Sequence, residues 1–258
     1  MEKLYLGSNT KMYKTIAETV SFLTRLHENT KDLSRDKLEL FIIPSYTTLK
    51  DARLCVPKES ITIGAQNMGW EEEGQFTGEI SPRMIREVGA EVVEIGHSER
   101  RHVLHETDQE ENLKVRCALR NDLRALLCVG ETAEQKAYAI SDETLRIQLK
   151  IGLNGVTAAD ADRLMVAYEP VWAIGVNGVP ADPAYVAKRH ACMRATLIEL
   201  FGGKGNDVPI LYGGSVNPEN CEALISMPDV DGLFIGRAAW DADKFNQLIR
   251  QVLRKLGR

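Results

Sequence analysis

The sequence predicts an α/β fold, a closed barrel of eight parallel strands that alternate with helices. Short runs rich in Val, Ile and Leu recur eight times along the 258 residues. Charge-rich segments with helical periodicity fill most of the intervals between these runs. No Pro, Ser or Gly-rich linker divides the chain, so we expect one domain over residues 1–258.

Each predicted strand ends in glycine or polar residues. Strands that are apolar almost throughout are typical of a parallel sheet covered on both faces. Eight such units in about 250 residues match a closed (β/α)8 barrel, and an open doubly wound sheet is the alternative. The predicted strands are, in order, residues 4–9, 38–44, 61–67, 92–97, 124–130, 163–170, 208–215 and 230–237. The clearest predicted helices are residues 15–30, 108–121 and 182–203.

Composition narrows the function classes. A net charge of -5 gives no general electrostatic reason to bind nucleic acid or an acidic membrane surface. No stretch approaches the roughly 18 apolar residues of a membrane span, and the start lacks a signal-peptide pattern, so we expect a cytoplasmic protein. The five cysteines have no C-x-x-C spacing, so we interpret them as reduced thiols and expect no zinc site.

Polar residues and glycines lie where the predicted strands end. In a (β/α)8 barrel the carboxyl ends of all strands meet on one rim, which carries the active site. Each residue alone has an ordinary structural explanation, such as a solvated lysine or a surface turn. Their convergence on one rim favours an acid/base site with anion-binding turns. The candidates are Asn9, Lys11, His97, Glu169, Gly213, Gly214, Ser215 and Gly236.

Seven segments of the sequence, in order along the chain, resemble the signatures of the triosephosphate isomerase family. They are "SNTKM", "GAQN", "FTGEISP", "GHSERR", "CVGE", "AYEPVWAIG" and "LYGGSVNPEN". The resemblance extends from about residue 4 to residue 240. It implies a TIM barrel and an aldose-ketose isomerase that moves a proton between adjacent carbons of a short phosphorylated sugar, the parent reaction being dihydroxyacetone phosphate to glyceraldehyde 3-phosphate.

The resemblance also implies roles for individual residues. Glu169 would remove the carbon-bound proton, and His97 would act as a neutral hydrogen-bond donor to the substrate oxygens. Lys11 would supply positive charge to the developing oxyanion. Asn9 matches the residue beside the lysine, and Ser98, Glu99 and Cys128 match positions that surround the catalytic groups.

Further implied features are a phosphate site, a lid and a dimer. Gly175, Ser215 and Gly236 match phosphate-binding positions, and residues 170–181 match a mobile lid that excludes water. The loop at residues 68–79 resembles an arm that locks a homodimer, with Thr77 near its tip. No metal or organic cofactor is expected.

Several positions depart from the family pattern and leave the substrate open. Glu169, His97 and Lys11 are all present, and they would suit either the three-carbon sugar or a four-carbon erythrulose phosphate. A catalytically inactive sugar-phosphate-binding module is a weaker alternative. Arg237 could point outward or add donors beside the phosphate. Glu94 and His102 receive no role. The departures are Thr10, Tyr13, Val176, Asn177, the Val179–Ala181 hinge with its proline, and the Arg237–Trp240 turn.

Overall fold

Eight strands close into a parallel barrel in the computed structural model, which describes residues 3–175 and 178–258. Each strand pairs with the next along the chain, and the last pairs with the first through Tyr5 and Gly232. The predicted (β/α)8 fold is confirmed, and the open sheet is excluded. The predicted lid tip, Val176 and Asn177, lies outside the described residues.

The elements alternate as the apolar pattern predicts. The strands are β1 Leu4–Asn9, β2 Leu38–Ile43, β3 Thr62–Ala65, β4 Val92–Ile95, β5 Arg124–Val129, β6 Leu164–Tyr168, β7 Ile210–Tyr212 and β8 Gly232–Phe234. The α-helices are α1 Ile16–Thr30, α2 Leu49–Leu54, α3 Pro82–Glu87, α4 Ser98–His102, α5 Asp108–Arg120, α6 Ala133–Ala137, α7 Ser141–Gly152, α8 Pro183–Phe201, α9 Cys221–Ile225 and α10 Ala242–Lys255.

The main differences from prediction lie at strand ends. The predicted fourth strand reaches His97, but β4 ends at Ile95 because Gly96 adopts a φ of 78°, which favours glycine and turns the chain. The polar ends of the sixth, seventh and eighth runs likewise follow their strands as loops. The three predicted helices are confirmed within two residues at each end, and α1 begins with a Thr15–Glu18 capping box.

Side chains fill the barrel, so the interior is a core and not a channel. Phe41 and Phe234 stack across it with ring centroids 5.6 Å apart. Gly7 makes room for this layer, since a Cβ there would lie 2.1 Å from Phe41 Cζ. A second apolar layer packs the strands against the surrounding helices. A ligand can therefore reach the barrel only at a rim.

No helix in residues 3–175 or 178–258 has the length and hydropathy needed to cross a membrane.

Candidate active site

The carboxyl rim brings together Asn9, Lys11, His97 and Glu169. His97 Nε2 lies 3.6 Å from Glu169 Oε2, and both side chains are almost completely buried. Lys11 reaches the same rim from the loop after β1, where its Nζ donates to Glu99 Oε1 over 2.6 Å. Elements far apart in sequence thus place a carboxylate, an imidazole and an ammonium group around one small space.

The backbone of Lys11 is held in an uncommon conformation. Its φ is 52°, a region that non-glycine residues rarely occupy and that costs on the order of 1–3 kcal/mol. Asn9 Oδ1 accepts from Lys11 N over 2.6 Å, while Ser45 Oγ and Gln66 Nε2 donate to Lys11 O over 2.7 and 2.8 Å. These bonds offset the strain and fix the start of the lysine side chain.

His97 is the N-cap of α4, and this position determines its tautomer. Its Nδ1 accepts from Glu99 N over 3.1 Å, so Nδ1 carries a lone pair and no proton. The Glu99 carboxylate also lies 3.5 Å from Nδ1, but a charged ring would need a proton on the atom that accepts from the backbone. The neutral ring therefore carries its proton on Nε2, the nitrogen that faces Glu169.

Glu169 follows β6 directly and is accommodated by two glycines, Gly213 beside its side chain and Gly130 beside its backbone carbonyl. A Cβ at Gly213 would lie 2.8 Å from Glu169 Cγ, and one at Gly130 would lie 2.0 Å from Glu169 O. The backbone is anchored by a bond from Glu169 N to Val129 O of 2.8 Å. Glu169 Oε2 is buried and has no hydrogen-bond partner among the described residues. An unpartnered carboxylate oxygen in a dry pocket is well suited to accept a proton.

The residues expected to surround the candidate catalytic groups lie next to them. Ser98 and Glu99 form the first turn of α4, with Ser98 buried and Glu99 paired to Lys11. Cys128 is buried at the end of β5, where its Sγ lies 3.7 Å from Glu94 Oε1.

One group of possible metal ligands occurs among the described residues. Atoms of Glu94, Cys128 and Glu169 lie within 4.8 Å of one another. Metal ligands must be deprotonated. Burial instead raises the pKa of the Cys128 thiol well above its usual range, and burial together with the Glu169 charge does the same to the Glu94 carboxyl. Burial thus favours the protonated forms of the Cys128 thiol and the Glu94 carboxyl.

The three residues predicted at the phosphate lie in the loops after β6, β7 and β8. Gly175 has a φ of 86°, and a Cβ at Gly236 would meet nothing within 4 Å, so this side of the rim is open. Ser215 Oγ donates to Ala173 O over 2.5 Å. Arg237 is exposed and turns toward the lid, where it donates to Gly175 O over 3.0 Å. Arg237 and Ser215 thus bond to the first half of the predicted lid segment, residues 170–175.

Sequence reasoning missed Glu131, which joins the predicted lid segment to the helix that follows it. This carboxyl is fully buried and accepts from Trp172 Nε1 over 2.9 Å and from Tyr185 OH over 2.7 Å. Trp172 belongs to the lid and Tyr185 to α8, which follows it. The Tyr168 hydroxyl adds a third donor at 3.0 Å. The signal was available, since Glu131 is the charged residue of "CVGE" directly after a strand.

A second missed feature is a contact between two of the unusual segments. Trp240 Nε1 donates to Asn9 O over 2.9 Å, and its ring lies 4.7 Å from that of Tyr13. The turn after β8 is therefore joined to the loop that carries Lys11.

Thr77 is exposed on the loop after β3, and no hydrogen bond in the described part of the chain joins it to the residues of the rim. This loop carries an edge-to-face contact between Trp70 and Phe76, whose centroids are 5.7 Å apart.

Comparison with known proteins decides the family. A model of triosephosphate isomerase sequences matches residues 4–252. The chain belongs to the triosephosphate isomerase family. It is similar to a triosephosphate isomerase from Bartonella henselae, whose crystal structure superposes with a TM-score of 0.86 at 35% identity over 96% of this chain and 98% of that one.

Within the triosephosphate isomerase family, several relatives that are named for a four-carbon sugar phosphate are similar to this chain over nearly its whole length. An L-erythrulose-1-phosphate isomerase from Rhizobium etli is 43% identical over 99% of this chain and 94% of its own. The proteins of that name from Rhizobium meliloti and Mesorhizobium japonicum are 42% and 39% identical, covering 98% and 95% of both chains in each comparison. The protein is therefore an isomerase of the triosephosphate isomerase type.

Proposed function

We propose that this isomerase acts on L-erythrulose 1-phosphate, with Glu169 as the base, His97 as a neutral hydrogen-bond donor and Lys11 as the stabilising cation. The observation that carries the proposed roles of these residues is the His97–Glu169 pair. His97 Nδ1 already accepts a backbone bond, so the Nε2 proton faces the space beside Glu169 Oε2. A substrate carbon in that space would meet a proton acceptor, and its oxygens would meet a donor.

The chemistry follows from the structure of this ketose. Its carbonyl is at C2, beside the phosphate-bearing C1, and C3 carries a hydrogen, a hydroxyl and a hydroxymethyl group. Glu169 takes the C3 proton, and the electron pair forms the C2–C3 double bond of an enediolate. Return of a proton to C2, with transfer of the hydroxyl proton from the C3 oxygen to the C2 oxygen, leaves the carbonyl at C3. On a four-carbon substrate the single transfer thus yields a second ketose, whereas the three-carbon reaction yields an aldose.

Lys11 and Asn9 would act on the charge that develops in this reaction. The ammonium group of Lys11 lies on the same rim as the almost completely buried side chains of His97 and Glu169, and beside such groups a positive charge stabilises an enediolate more strongly than it would in water. The backbone of Lys11 is fixed by Asn9, Ser45 and Gln66, so the side chain does not have to be reorganised when the substrate binds.

The phosphate would lie at the open side of the rim, near Gly175, Ser215 and Gly236. Backbone N–H groups in glycine-bearing turns can approach an anion closely. Arg237 lies beside this space, because its guanidinium is already bonded to Gly175 O. A bound phosphate would add a second acceptor for the same side chain, and the lid would then be held to both the protein and the substrate.

Two observations support the four-carbon substrate. Relatives named for L-erythrulose 1-phosphate are 39–43% identical over almost the whole chain. In addition, two of the departures from the family pattern lie against each other at the rim, since the rings of Trp240 and Tyr13 are in contact, and Trp240 Nε1 also donates to Asn9 O. Altered residues that surround an intact set of Glu169, His97 and Lys11 favour the same reaction on a changed substrate.

The test compares kcat/KM for L-erythrulose 1-phosphate, its D enantiomer and dihydroxyacetone phosphate. We expect the L four-carbon ketose to be preferred. Glu169→Gln, purified in the same way, controls for a contaminating isomerase from the expression host and should be inactive with all three. A preference for dihydroxyacetone phosphate would refute the four-carbon proposal and leave the three-carbon parent reaction, which the 35% identical Bartonella henselae structure supports.

We also propose a homodimer formed through the loop after β3, as expected for this family. The loop at residues 68–79 is largely exposed and carries the aromatic side chains of Trp70 and Phe76. Thr77→Arg would place a charge at the tip of this loop. Sedimentation of the wild type as a dimer and of the variant as a monomer is the expected result, and a monomeric wild type would contradict the proposal.

A further inference from the structure

Glu94 is a carboxyl group inside an apolar strand, and the reaction outlined above makes no use of it. It is the third residue of β4, with Val93 and Ile95 as neighbours, and its exposure is 0%. Val92 lies in the barrel interior, and residues two apart in a strand share a face, so Glu94 also projects into the barrel. Its carboxyl therefore lies with the interior residues and not with the helices.

The Asn9 amide donates to this carboxyl. Asn9 Nδ2 lies 2.6 Å from Glu94 Oε2. The orientation of the amide is fixed from its other side, because Asn9 Oδ1 accepts from Lys11 N and from Gln66 Nε2. Glu94 Oε2 must consequently be an acceptor. The other oxygen, Oε1, is 3.7 Å from the Cys128 sulfur.

The charges around Glu94 are mostly negative. One of its carboxyl oxygens lies within 4.8 Å of an oxygen of Glu169, and Glu99 adds a second like charge. The positive charge of Lys11 acts in the opposite direction and lowers the pKa of Glu94, but the Lys11 ammonium group is paired with Glu99. No lysine or arginine in the described part of the chain forms an ion pair with Glu94. Burial and the Glu169 charge together raise the pKa of Glu94 well above its usual range.

We propose that Glu94 is a positioning residue that works as a neutral carboxylic acid, holding the Asn9 amide beside Lys11 while Glu169 alone carries the negative charge of the buried pair. Two carboxyl groups this close in a dry pocket keep one proton between them. The inference rests on the proposed role of Glu169 as the base, because that role requires the ionised member of the pair to be Glu169.

A neutral Glu94 has a direct consequence for the reaction. The substrate brings a phosphate anion, and the proton transfer creates an enediolate in the same space. A second carboxylate beneath the rim would repel both and would compete for the positive charge of Lys11. A protonated acid keeps the hydrogen bond to Asn9 without adding that charge, which a carboxylate cannot do.

Two variants separate the charge of Glu94 from its hydrogen bond. Glu94→Gln keeps an acceptor for Asn9 Nδ2 and stays neutral, so kcat/KM should remain within about threefold of the wild type. Glu94→Leu leaves the Asn9 amide without its acceptor, and kcat/KM should fall about tenfold or more. Equal losses in the two variants would mean that a carboxylate is needed and would overturn the proposal.

Infrared spectroscopy of the full protein without substrate tests whether the buried pair of Glu94 and Glu169 holds a proton. At neutral pH the wild-type spectrum minus that of Glu94→Gln should contain the carbonyl stretch of a protonated carboxylic acid. A difference spectrum with carboxylate bands alone would overturn the proposal even if Glu94→Leu fails to fold. Since no substrate is present, a wrong substrate assignment would alter the kinetic comparison with erythrulose phosphate and leave this result unchanged.

Discussion

Loss of a single hydroxyl at Tyr185 should destabilise the anchor of the lid. Tyr185→Phe removes the 2.7 Å bond to Glu131 Oε1 together with the 2.9 Å contact to Ser141 Oγ, and it leaves the buried carboxyl with donors from Tyr168 and Trp172. A hydrogen bond to a charged group contributes about 1.5–3 kcal/mol, and a fully buried acceptor has no water to replace the lost donor. The free energy of unfolding should fall by about that amount, which is about 10- to 150-fold in the unfolding equilibrium constant.

The assay is urea denaturation at one fixed protein concentration, because association makes apparent stability concentration-dependent. Tyr138→Phe is the matched control, since it removes the same atom from a side chain that is 67% exposed. We expect the control to stay within about 0.5 kcal/mol of the wild type. Tyr185→Phe should also lower kcat/KM, because Glu131 connects the lid to α8. If the stabilities of the two variants were equal, Glu131 would not anchor the lid.

Three further predictions follow from buried contacts and from the rim. Burial raises the pKa of Glu111 from 4.5 to about 7, so the folded protein holds this proton more tightly than the unfolded chain. Stability should therefore decline by about 3 kcal/mol as pH rises from 4.5 to 7, and urea denaturation of Glu111→Gln at pH 5 and 8 should show a correspondingly smaller decline. Trp240→Phe loses the bond to Asn9 O and should cost about 1 kcal/mol of stability with a reduced kcat/KM, whereas wild-type values of both would contradict the contact. Lys11→Met should lower kcat more than it raises KM in steady-state kinetics, and an unchanged kcat would exclude Lys11 as the stabilising cation.

The fold could be predicted from sequence because its signal repeats. Eight apolar runs separated by helical segments leave few architectures, and the strand ends then assign Lys11, His97 and Glu169 to one rim. The pattern could not predict the conformation of the backbone between β4 and α4. Gly96 ends β4 two residues before the predicted end, and this places His97 at an N-cap where its tautomer is fixed.

The contacts that sequence reasoning missed are all between residues distant in the chain. Glu131 and Tyr185 are 54 positions apart, and Trp240 and Asn9 are 231 apart, so no local periodicity reports either pair. The sequence left the direction of the Arg237 side chain open. That direction depends on its bond to Gly175 O, a residue 62 positions away, and not on its neighbours in sequence. In the sequence Glu94 is an ordinary strand residue, and only the fold brings Asn9 and Glu169 next to it. The domain boundaries and the cytoplasmic location stay predictions.

The central claim is that Glu169 removes a carbon-bound proton from an erythrulose phosphate, and deuterium exchange tests it most directly. The protein is incubated with L-erythrulose 1-phosphate in deuterated solvent, and the C3 proton signal is followed by NMR. With the wild type, deuterium should replace the C3 proton and appear at the adjacent carbon of the product, and Glu169→Gln should abolish the exchange. Exchange at the wild-type rate in Glu169→Gln would contradict the account.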